Sequence, residues 1–510
     1  MKRALISVYN KSGIVAFAEG LAELGWEIVS TGGTYKLLKE YGINVVEIDE
    51  VTGFPEILDG RVKTLNPLIH GGILFRRDLE SHRTVIEEMD IVPIDMVVNN
   101  LYPFEDTVFN PNATPLEIIE NIDIGGPSMI RAAAKNYADV TIIVDPEDYG
   151  LVLDELRENG ETTPQTRARL ARTAFSLTAY YDSLIASYFN DEQGIRFPEL
   201  LTLPYRKKDS LRYGENPHQN AAFYTEPGDL EGTISGAMQL HGKALSYNNI
   251  NDANSAIKII KEFEEPTAVA VKHANPCGVA SGQTLLIAYE KAYQADPDSI
   301  FGGIVALNGE VTEAIALKLS EIFLEIIIAP SFSREAISIL TQKKNLRLLK
   351  LEDLEMYDKS SLAIKQVQGG LLVQDENTEL LGEEMPAVSN RFPDNYEVED
   401  MLFAWKVAKH ISSNGVVIAK DKQTLGIGLG EVNRFWAVEE AIKRSGEGAK
   451  GAVLASDGFF PFTDSVEALA DAGVTAIIQP GGSVKDHDVI EEADKHNMAM
   501  LFTGMRHFRH

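Results

Sequence analysis

The sequence predicts an α/β protein in two parts, the first built on a parallel sheet with helices on its faces. Three observations predict it. Over the first fifty residues, short apolar runs alternate with small polar turns and amphipathic stretches, which is the rhythm of strand, turn and helix in a parallel sheet. Residues 166–189 carry apolar side chains at helical spacing, after which residues 190–209 lose periodicity and contain Pro198 and Pro204. An exposed boundary between domains has that character, and it divides the chain into residues 1–198 and 199–510. Beyond it, apolar runs again end abruptly in turns rich in Gly, Pro and polar side chains.

Composition bounds the function. A hydrophobic fraction of 44% and a charged fraction of 24% are ordinary for a globular protein. The net charge of −29 repels nucleic acid and anionic membranes, so neither is an expected partner. An anionic substrate needs a local cluster of Lys and Arg to overcome that field. The single cysteine, Cys277, excludes an internal disulfide and fits a reducing, cytoplasmic setting. The start of the chain has a basic beginning, but its apolar run is broken by Ser7, Asn10 and Lys11, so no signal peptide is expected.

In chain order, residues 4–8 read as a first strand, followed by Lys11-Ser12-Gly13 and a helix to Leu24. Residues 26–29 read as a second strand, followed by Thr31-Gly32-Gly33-Thr34 and a helix to Glu40; residues 45–48 make a third. Both turns combine glycine with hydroxyls just before a helix. Free N–H groups there, with hydroxyl donors, make an anion cradle, although Ser and Thr are also ordinary helix caps. Arg61 and Lys63 alternate and share one face if that segment is extended. His70-Gly71-Gly72 follows. A strand over 96–98 ends in Asn99, Asn100 and Tyr102, and a Gly-rich turn, Asp123 to Pro127, leads into a helix over 128–138 carrying Arg131 and Lys135. A solvated helix face is the plain reading of that last pair.

The second part opens on Arg212-Tyr213-Gly214-Glu215-Asn216-Pro217-His218-Gln219. Residues 268–271 then read as a buried strand that delivers Lys272 and His273 into a turn set by Asn275, Pro276 and Gly278. Residues 299–303 read as a strand end, 325–330 as a strand running into Pro330, 360–390 as strands and loops, and 405–413 as a helix. Strands are expected over 416–419, 452–455 and 475–479, with a helix starting at Arg434. Gly426, Gly428 and Gly430 do not have the spacing of a dinucleotide fingerprint.

These motifs, in this order from Ser7 to Arg506, resemble the bifunctional purine-biosynthesis family that joins 5-aminoimidazole-4-carboxamide ribonucleotide (AICAR) transformylase to inosine monophosphate (IMP) cyclohydrolase. Those that carry the resemblance are Lys11-Ser12-Gly13, Thr31-Gly32-Gly33-Thr34, Arg61-Val62-Lys63-Thr64, Asn100-Leu101-Tyr102-Pro103-Phe104, Asp123-Ile124-Gly125-Gly126, the Arg131 to Asn136 run, the Arg212 to Gln219 run and Lys272-His273-Ala274-Asn275-Pro276-Cys277-Gly278. The resemblance implies a doubly wound, methylglyoxal-synthase-like first domain that closes the purine ring. It implies a second domain of two cytidine-deaminase-like subdomains that transfers a formyl group from 10-formyltetrahydrofolate to AICAR, in a homodimer whose transfer sites lie at the subunit boundary.

Carried over by motif, Lys11, Ser12, Gly13, Thr31, Gly32, Gly33 and Thr34 would hold phosphate and ribose. Arg61, Val62, Lys63, Thr64, Asn99, Asn100, Tyr102, Asp123 and Gly125 would surround the base, and Lys135 would move a proton. Arg212, Tyr213, His273, Gly302, Glu325, Asn414 and Arg434 would bind AICAR. Phe435, Phe459, Gly481, Gly482 and Arg506 would lie near the folate.

The chemistry suits these residue types. The AICAR amine is a poor nucleophile, because its lone pair is delocalised, so transfer needs a base and a stabilised oxyanion. His273 has the one near-neutral side chain of its stretch. Lys272 can stabilise the developing charge or protonate the leaving nitrogen, and Asn414 can donate to the formyl oxygen. Ring closure is intramolecular, so positioning supplies much of the rate, and Lys63, Lys135, Tyr102 and Asp123 suffice to move protons without a metal.

Two rival readings have discriminating features. A zinc deaminase needs His-x-Glu and Pro-Cys-x-x-Cys, whereas Cys277 stands alone and no His is followed two residues later by Glu. A non-catalytic phosphate-sensing module in residues 1–198 would show no cyclisation rate.

Overall fold

Ala4, Leu5 and Ile6 are completely buried in strand β1 (Arg3–Val8), as expected of a strand covered on both faces. The computed structural model describes residues 1–354 and 362–510. β1 is the centre of a wholly parallel sheet with β2 (Glu27–Ser30), β3 (Val45–Glu47), β4 (Met96–Asn100) and β5 (Thr141–Ile143), in the order β3-β2-β1-β4-β5. The winding reverses between β1 and β4, so the loops leaving these two strands part and open a crevice at their carboxyl ends. The long helix Pro164–Glu192 starts where the Thr163 hydroxyl accepts the Thr166 amide at 3.1 Å, and it buries Leu170, Ala174, Tyr181 and Leu184. Residues Met1–Arg206 with Glu226–Gly228 form one compact unit; Lys207–Thr225 with Asp229–His510 form the other.

The second unit begins with the hairpin of β6 (Arg206–Leu211) and β7 (Ala221–Thr225). Its main sheet takes in β8 (Met238–His241), β9 (Thr267–Lys272), β10 (Asn275–Ser281), β11 (Ile304–Leu307), β12 (Ile326–Ala329) and β13 (Arg347–Lys350). After a small hairpin of β14 (Leu362–Val367) and β15 (Gly370–Asp375) come β16 (Val416–Lys420), β17 (Gln423–Gly428), β18 (Val453–Ser456), β19 (Ala476–Gln479) and β20 (Ala499–Phe502). The order across this sheet is β20-β19-β18-β16-β17-β10-β9-β11-β12-β13-β8.

That order contains a duplication. Helix Tyr247–Ile260, the β9–β10 hairpin, helix Leu285–Ala295, β11, and two helix–strand units ending in β13 recur as helix Asn395–Ala408, the β16–β17 hairpin, helix Arg434–Ser445, β18, and two such units ending in β20. The halves meet where β10 and β17 pair antiparallel at Ala280 and Gln423. Strand directions have one consequence for function. The tip of the β9–β10 hairpin, the starts of β11 and β12, the end of β17, the start of β16 and the ends of β18, β19 and β20 all fall on a single edge.

Several local expectations are corrected. The turn after Lys272 is His273–Ala274, both with positive φ, and Asn275 and Pro276 already belong to β10. Residues 299–303 precede β11 and do not end a strand. The helix expected over 405–413 runs from Asn395 to Ala408, its start fixed by a capping box between Asp394 and Glu397. Gly426 and Gly428 lie within β17; a Cβ on either would fall about 2 Å from a carbonyl of helix Arg434–Ser445, so close packing requires them. Of the stretch 360–390, residues 360 and 361 lie outside the described residues, and β14 and β15 occupy much of the rest. Among the described residues, no helix is long and apolar enough to cross a membrane.

Candidate active sites on two sheet edges

The first candidate site is the crevice between β1 and β4. Asn100 clamps the loop after β1: its Oδ1 accepts the amides of Tyr9 at 2.6 Å and Asn10 at 2.8 Å, and its Nδ2 donates to the Asn10 carbonyl at 3.1 Å. Lys11 curls back to donate to the carbonyls of Val8 and Tyr9, and burial lowers its pKa. Ser12 donates its amide to Asn10 Oδ1, and Gly13 supplies the left-handed conformation from which helix Ile14–Glu23 starts. At the next strand end the Thr31 hydroxyl bonds Ser7 Oγ at 2.8 Å. Thr34 departs from expectation, because its hydroxyl donates to the Val8 carbonyl at 3.0 Å and accepts the Val8 amide at 3.2 Å. It ties the turn to β1 and has no donor left for a phosphate. Gly32 and Gly33 open helix Gly32–Glu40, where backbone amides face an approaching anion.

Lys63 comes to that same helix start. A Cβ on Gly32 would lie 3.4 Å from the Lys63 ammonium, which is ion-paired with Glu56. Arg61 is largely exposed and pairs with Glu120, and Val62 bridges back to Ile57. Thr64 lies under Gly125, where any Cβ would sit 2.6 Å from its hydroxyl oxygen. Asp123 accepts the Gly126 amide at 2.7 Å and donates its own amide to the Tyr181 hydroxyl at 2.7 Å. Burial pushes the Asp123 carboxyl up, against the pull of the Gly126 and Tyr102 amides. Burial, and then the Asp123 charge, push the Tyr102 phenol up, while Lys63 draws it down. Ammonium, phenol and carboxyl therefore act on one another at one end of the crevice.

Lys135 stands at the other end of the helix that Gly125 opens (Gly125–Lys135), about 15 Å along the axis from Gly125, and the next residue, Asn136, donates to the Ile73 and Phe75 carbonyls. Sequence reasoning missed Glu56, which no motif marks. It also gave no role to His70, whose Nε2 is buried without a partner and whose pKa burial lowers.

The second candidate site is the edge of the eleven-stranded sheet. His273 sits at the hairpin tip with φ +55°, Asn275 Nδ2 donates to its carbonyl at 2.9 Å, and Lys272 Nζ donates to the Phe301 carbonyl at 2.9 Å. That last bond sets Lys272 beside Gly302, whose φ of +73° opens the approach to β11. Glu325, at the start of β12, is paired with Arg347 at 2.7 Å. Arg212 lies over the Tyr213 ring at 5.6 Å. β10 and β17 separate below their one bridge, leaving a cleft of about 530 Å³ whose walls include Lys272, His273, Asn275, Glu431 and Arg444. Burial pushes the Cys277 thiol up to about 12, so it is not a thiolate nucleophile at neutral pH.

Across the cleft, Asn414 Nδ2 donates to the Glu431 carbonyl at 2.8 Å, and its Oδ1 accepts from Arg434 at 2.9 Å. Arg434 is buried in an ion pair with Asp457, and its Nη1 also donates to Ser456 at 2.8 Å. Nη1 and one Nη2 hydrogen of Arg434 are thus engaged by the protein, and the arginine holds Asn414 in place. Asp457 was missed as a partner; its one signal is its place at a strand end. Phe435 and Phe459 are half-buried nearby in sequence, and Gly481 and Gly482 form a left-handed turn whose Gly482 amide donates to Asp486 at 2.7 Å. A Cβ on Gly481 would strike the Phe502 ring at 2.4 Å. Arg506 lies over the Phe508 ring at 4.7 Å. Among the described residues, no group of His, Cys, Asp and Glu could hold a metal ion.

A crevice with two helix starts and the Lys63, Tyr102 and Asp123 cluster, and a separate edge with a Lys–His tip, give this α/β protein two candidate sites. The comparisons agree. Residues 13–128 match the MGS-like domain, and residues 133–444 match the family described as AICARFT/IMPCHase bienzyme. The chain is 57% identical to the bifunctional purine biosynthesis protein PurH of Caldicellulosiruptor saccharolyticus, 57% to that of Anoxybacillus flavithermus and 58% to that of Thermoanaerobacter sp. (strain X514), each over 100% of both chains. The crystal structure of ForH is 38% identical over 37% of this chain and 98% of its own, at a TM-score of 0.34, too low to carry a conclusion. The chain belongs to the AICARFT/IMPCHase bienzyme family. It is a bifunctional enzyme of purine biosynthesis, an AICAR formyltransferase and IMP cyclohydrolase.

Proposed function

We propose that the two activities are divided between the two edges: residues 1–198 close the ring in the β1–β4 crevice, and residues 199–510 transfer the formyl group at the Lys272–His273 edge. The co-substrate is 10-formyltetrahydrofolate and no metal takes part. The observation that carries this reading is the hairpin tip, which presents an imidazole and an ammonium to a cleft faced by Asn414's partner Glu431. The AICAR amine attacks the formyl carbon, His273 takes the amine proton, and the carbon–N10 bond breaks as N10 is protonated, with Lys272 as the donor. Asn414 keeps one N–H for the formyl oxygen. Gly302, Glu325, Arg212 and Tyr213 serve the AICAR side; Phe435, Phe459, Gly481, Gly482 and Arg506 serve the folate side.

In the crevice, Lys11, Ser12, Gly13 and the amides of Gly32 and Gly33 hold the phosphate and ribose. The carboxamide nitrogen attacks the formyl carbon and water leaves, with Lys63, Tyr102 and Asp123 moving the protons. Lys135 belongs to this reading as a contribution to a second copy's crevice.

The reading includes a cytoplasmic homodimer, and strand spacing supports the dimer. Glu325 at β12 and Asn414 at β16 are five strand intervals apart, roughly 24 Å at about 4.8 Å each, which is farther than one mononucleotide reaches. A second copy offering the opposite half of the edge completes the site. The test is incubation with AICAR and 10-formyltetrahydrofolate, following tetrahydrofolate and IMP separately. Crevice variants should release tetrahydrofolate but lose IMP, and hairpin-edge variants should lose both products while still converting supplied formyl-AICAR to IMP; a hairpin-edge variant that fails on supplied formyl-AICAR would overturn the division.

A further inference from the structure

We infer that Asp252 is the positioning residue of formyl transfer, acting by clamping the left-handed turn that carries His273. The inference rests on His273 being the transfer base.

A two-residue hairpin turn of this kind needs positive φ at both central residues, which is why Asn-Gly and Asp-Gly are its usual occupants. Here the occupants are His273 at +55° and Ala274 at +59°. Neither residue enters that region without steric cost, so something outside the turn must hold it. The Asp252 carboxylate accepts the Ala274 amide at 2.8 Å and the His273 amide at 3.3 Å, one on each oxygen. It stands on helix Tyr247–Ile260, which buries Ala253, Ala256, Ile257 and Ile260 in the core, so the clamp is anchored to a rigid element. Asn275 Nδ2 holds the His273 carbonyl from the other side. With amide and carbonyl both fixed, the imidazole leaves the tip in one direction.

The duplicated half supplies an internal comparison. The β16–β17 hairpin turns through Asp421 and Lys422, both with φ +52°. Asp400, at the matching place on helix Asn395–Ala408, accepts both their amides at 2.7 Å. The clamp is thus a device of the repeat. On the far edge it holds a turn without a base; on the active edge it holds His273. Strained turns at active sites persist where surrounding groups over-determine them, and a displacement of about 1 Å at a reacting group costs on the order of 10²-fold in rate.

The experiment measures formyl transfer and ring closure in the full chain. Asp252→Ala should lower the transfer kcat by about 10²-fold, with little change in KM for AICAR and none in conversion of supplied formyl-AICAR to IMP. Adding Ala274→Gly, which accepts positive φ without a clamp, should restore much of the lost kcat. Asp400→Ala should leave transfer near wild type. His273→Ala is assayed alongside. If it retains transfer, the base assignment itself fails. If His273→Ala abolishes transfer while Asp252→Ala keeps wild-type kcat, the clamp inference fails alone. A folded Asp252→Ala/Ala274→Gly chain that stays as slow as Asp252→Ala also overturns it. Should Asp252→Ala not fold, the double variant decides: folded and active is expected, folded and inactive refutes the clamp.

Discussion

Arg434 holds Asn414 through an Nη2–Oδ1 hydrogen bond of 2.9 Å while its other arm is locked onto Asp457 and Ser456. The arginine is almost wholly buried and Asp457 fully so. Arg434→Ala therefore leaves a buried carboxylate without its partner, a loss of about 3–5 kcal/mol, read as a lower thermal midpoint. Arg434→Lys keeps the charge but loses the fork that serves three partners. It should fold, yet lose more than about tenfold in transfer, since one oxyanion donor contributes on the order of 10²-fold. An Arg434→Lys enzyme with wild-type transfer would show that Asn414 needs no holding.

At the hairpin tip, His273→Ala should lower transfer by about 10⁴-fold or more, at or beyond the top of the range for a lost general base. Lys272→Ala should be similarly damaging, and Cys277→Ala mild, because burial holds that thiol protonated. Steady-state tetrahydrofolate release measures all three. A folded His273→Ala enzyme retaining more than a tenth of the wild-type rate would refute the base.

Much of this was legible in the sequence for a physical reason. Sheets covered on both faces demand continuous apolar runs, so residues 4–8 and 268–271 announced their strands, and turns that end them demand Gly, Pro or short polar side chains. The His273 turn was misplaced because its conformation is imposed from Asp252, 21 positions away, and no local rule contains that contact. Glu56 and Asp457 escaped for the same reason: a carboxylate declares its role only through the cation beside it. Lys135 shows the converse, since a motif can mark a residue while leaving open which end of its helix faces the site.

Lys135 and Lys63 should complement each other in trans. Each single alanine variant should lose ring closure, because Lys63 sits at the helix start of its own crevice and Lys135 is about 15 Å along its helix from Gly125. Co-refolded mixtures of Lys63→Ala and Lys135→Ala chains should regain part of the rate. Wild-type cyclisation by Lys135→Ala alone would remove the residue from the mechanism.

The C-terminal tail should make the second unit sensitive to acid. His507 is buried, its Nε2 bonds the Leu380 carbonyl at 3.0 Å and its Nδ1 bonds Asn377 Nδ2 at 2.9 Å. Burial pushes its pKa down to about 4. Lys409 and Arg509 add positive charge nearby, burial lowers the pKa of His410 as well, and Glu262 pairs with Lys409 and His410. A folded pKa below the unfolded value of about 6.5 means that stability is full above about pH 6.5 and is lost as pH falls toward 4, by about 3 kcal/mol. The thermal midpoint of the second unit should fall across that window, and His507→Gln should flatten the fall. An unchanged profile in His507→Gln would assign the loss to Glu262 and His410.

The two activities should separate physically. The first unit contains its own sheet, its own crevice and the Lys63, Tyr102 and Asp123 set, and helix Pro164–Glu192 packs Leu170 and Ala174 into its core. A fragment of residues 1–198 should therefore fold and convert formyl-AICAR to IMP without formyl transfer, and residues 199–510 should do the reverse and accumulate formyl-AICAR. The structure also says where the cut can be improved. Arg206 lies 4.4 Å from the centre of the Tyr180 ring and pairs with Glu105 at 2.7 Å, and both partners belong to the first unit. Extending the fragment to residue 206 should raise its stability by up to about 1 kcal/mol, read as a higher urea midpoint, with the cyclisation rate unchanged. A folded 1–206 fragment that makes no IMP even when concentrated enough to self-associate would mean that ring closure draws on residues beyond the first unit, and the division of labour would fall.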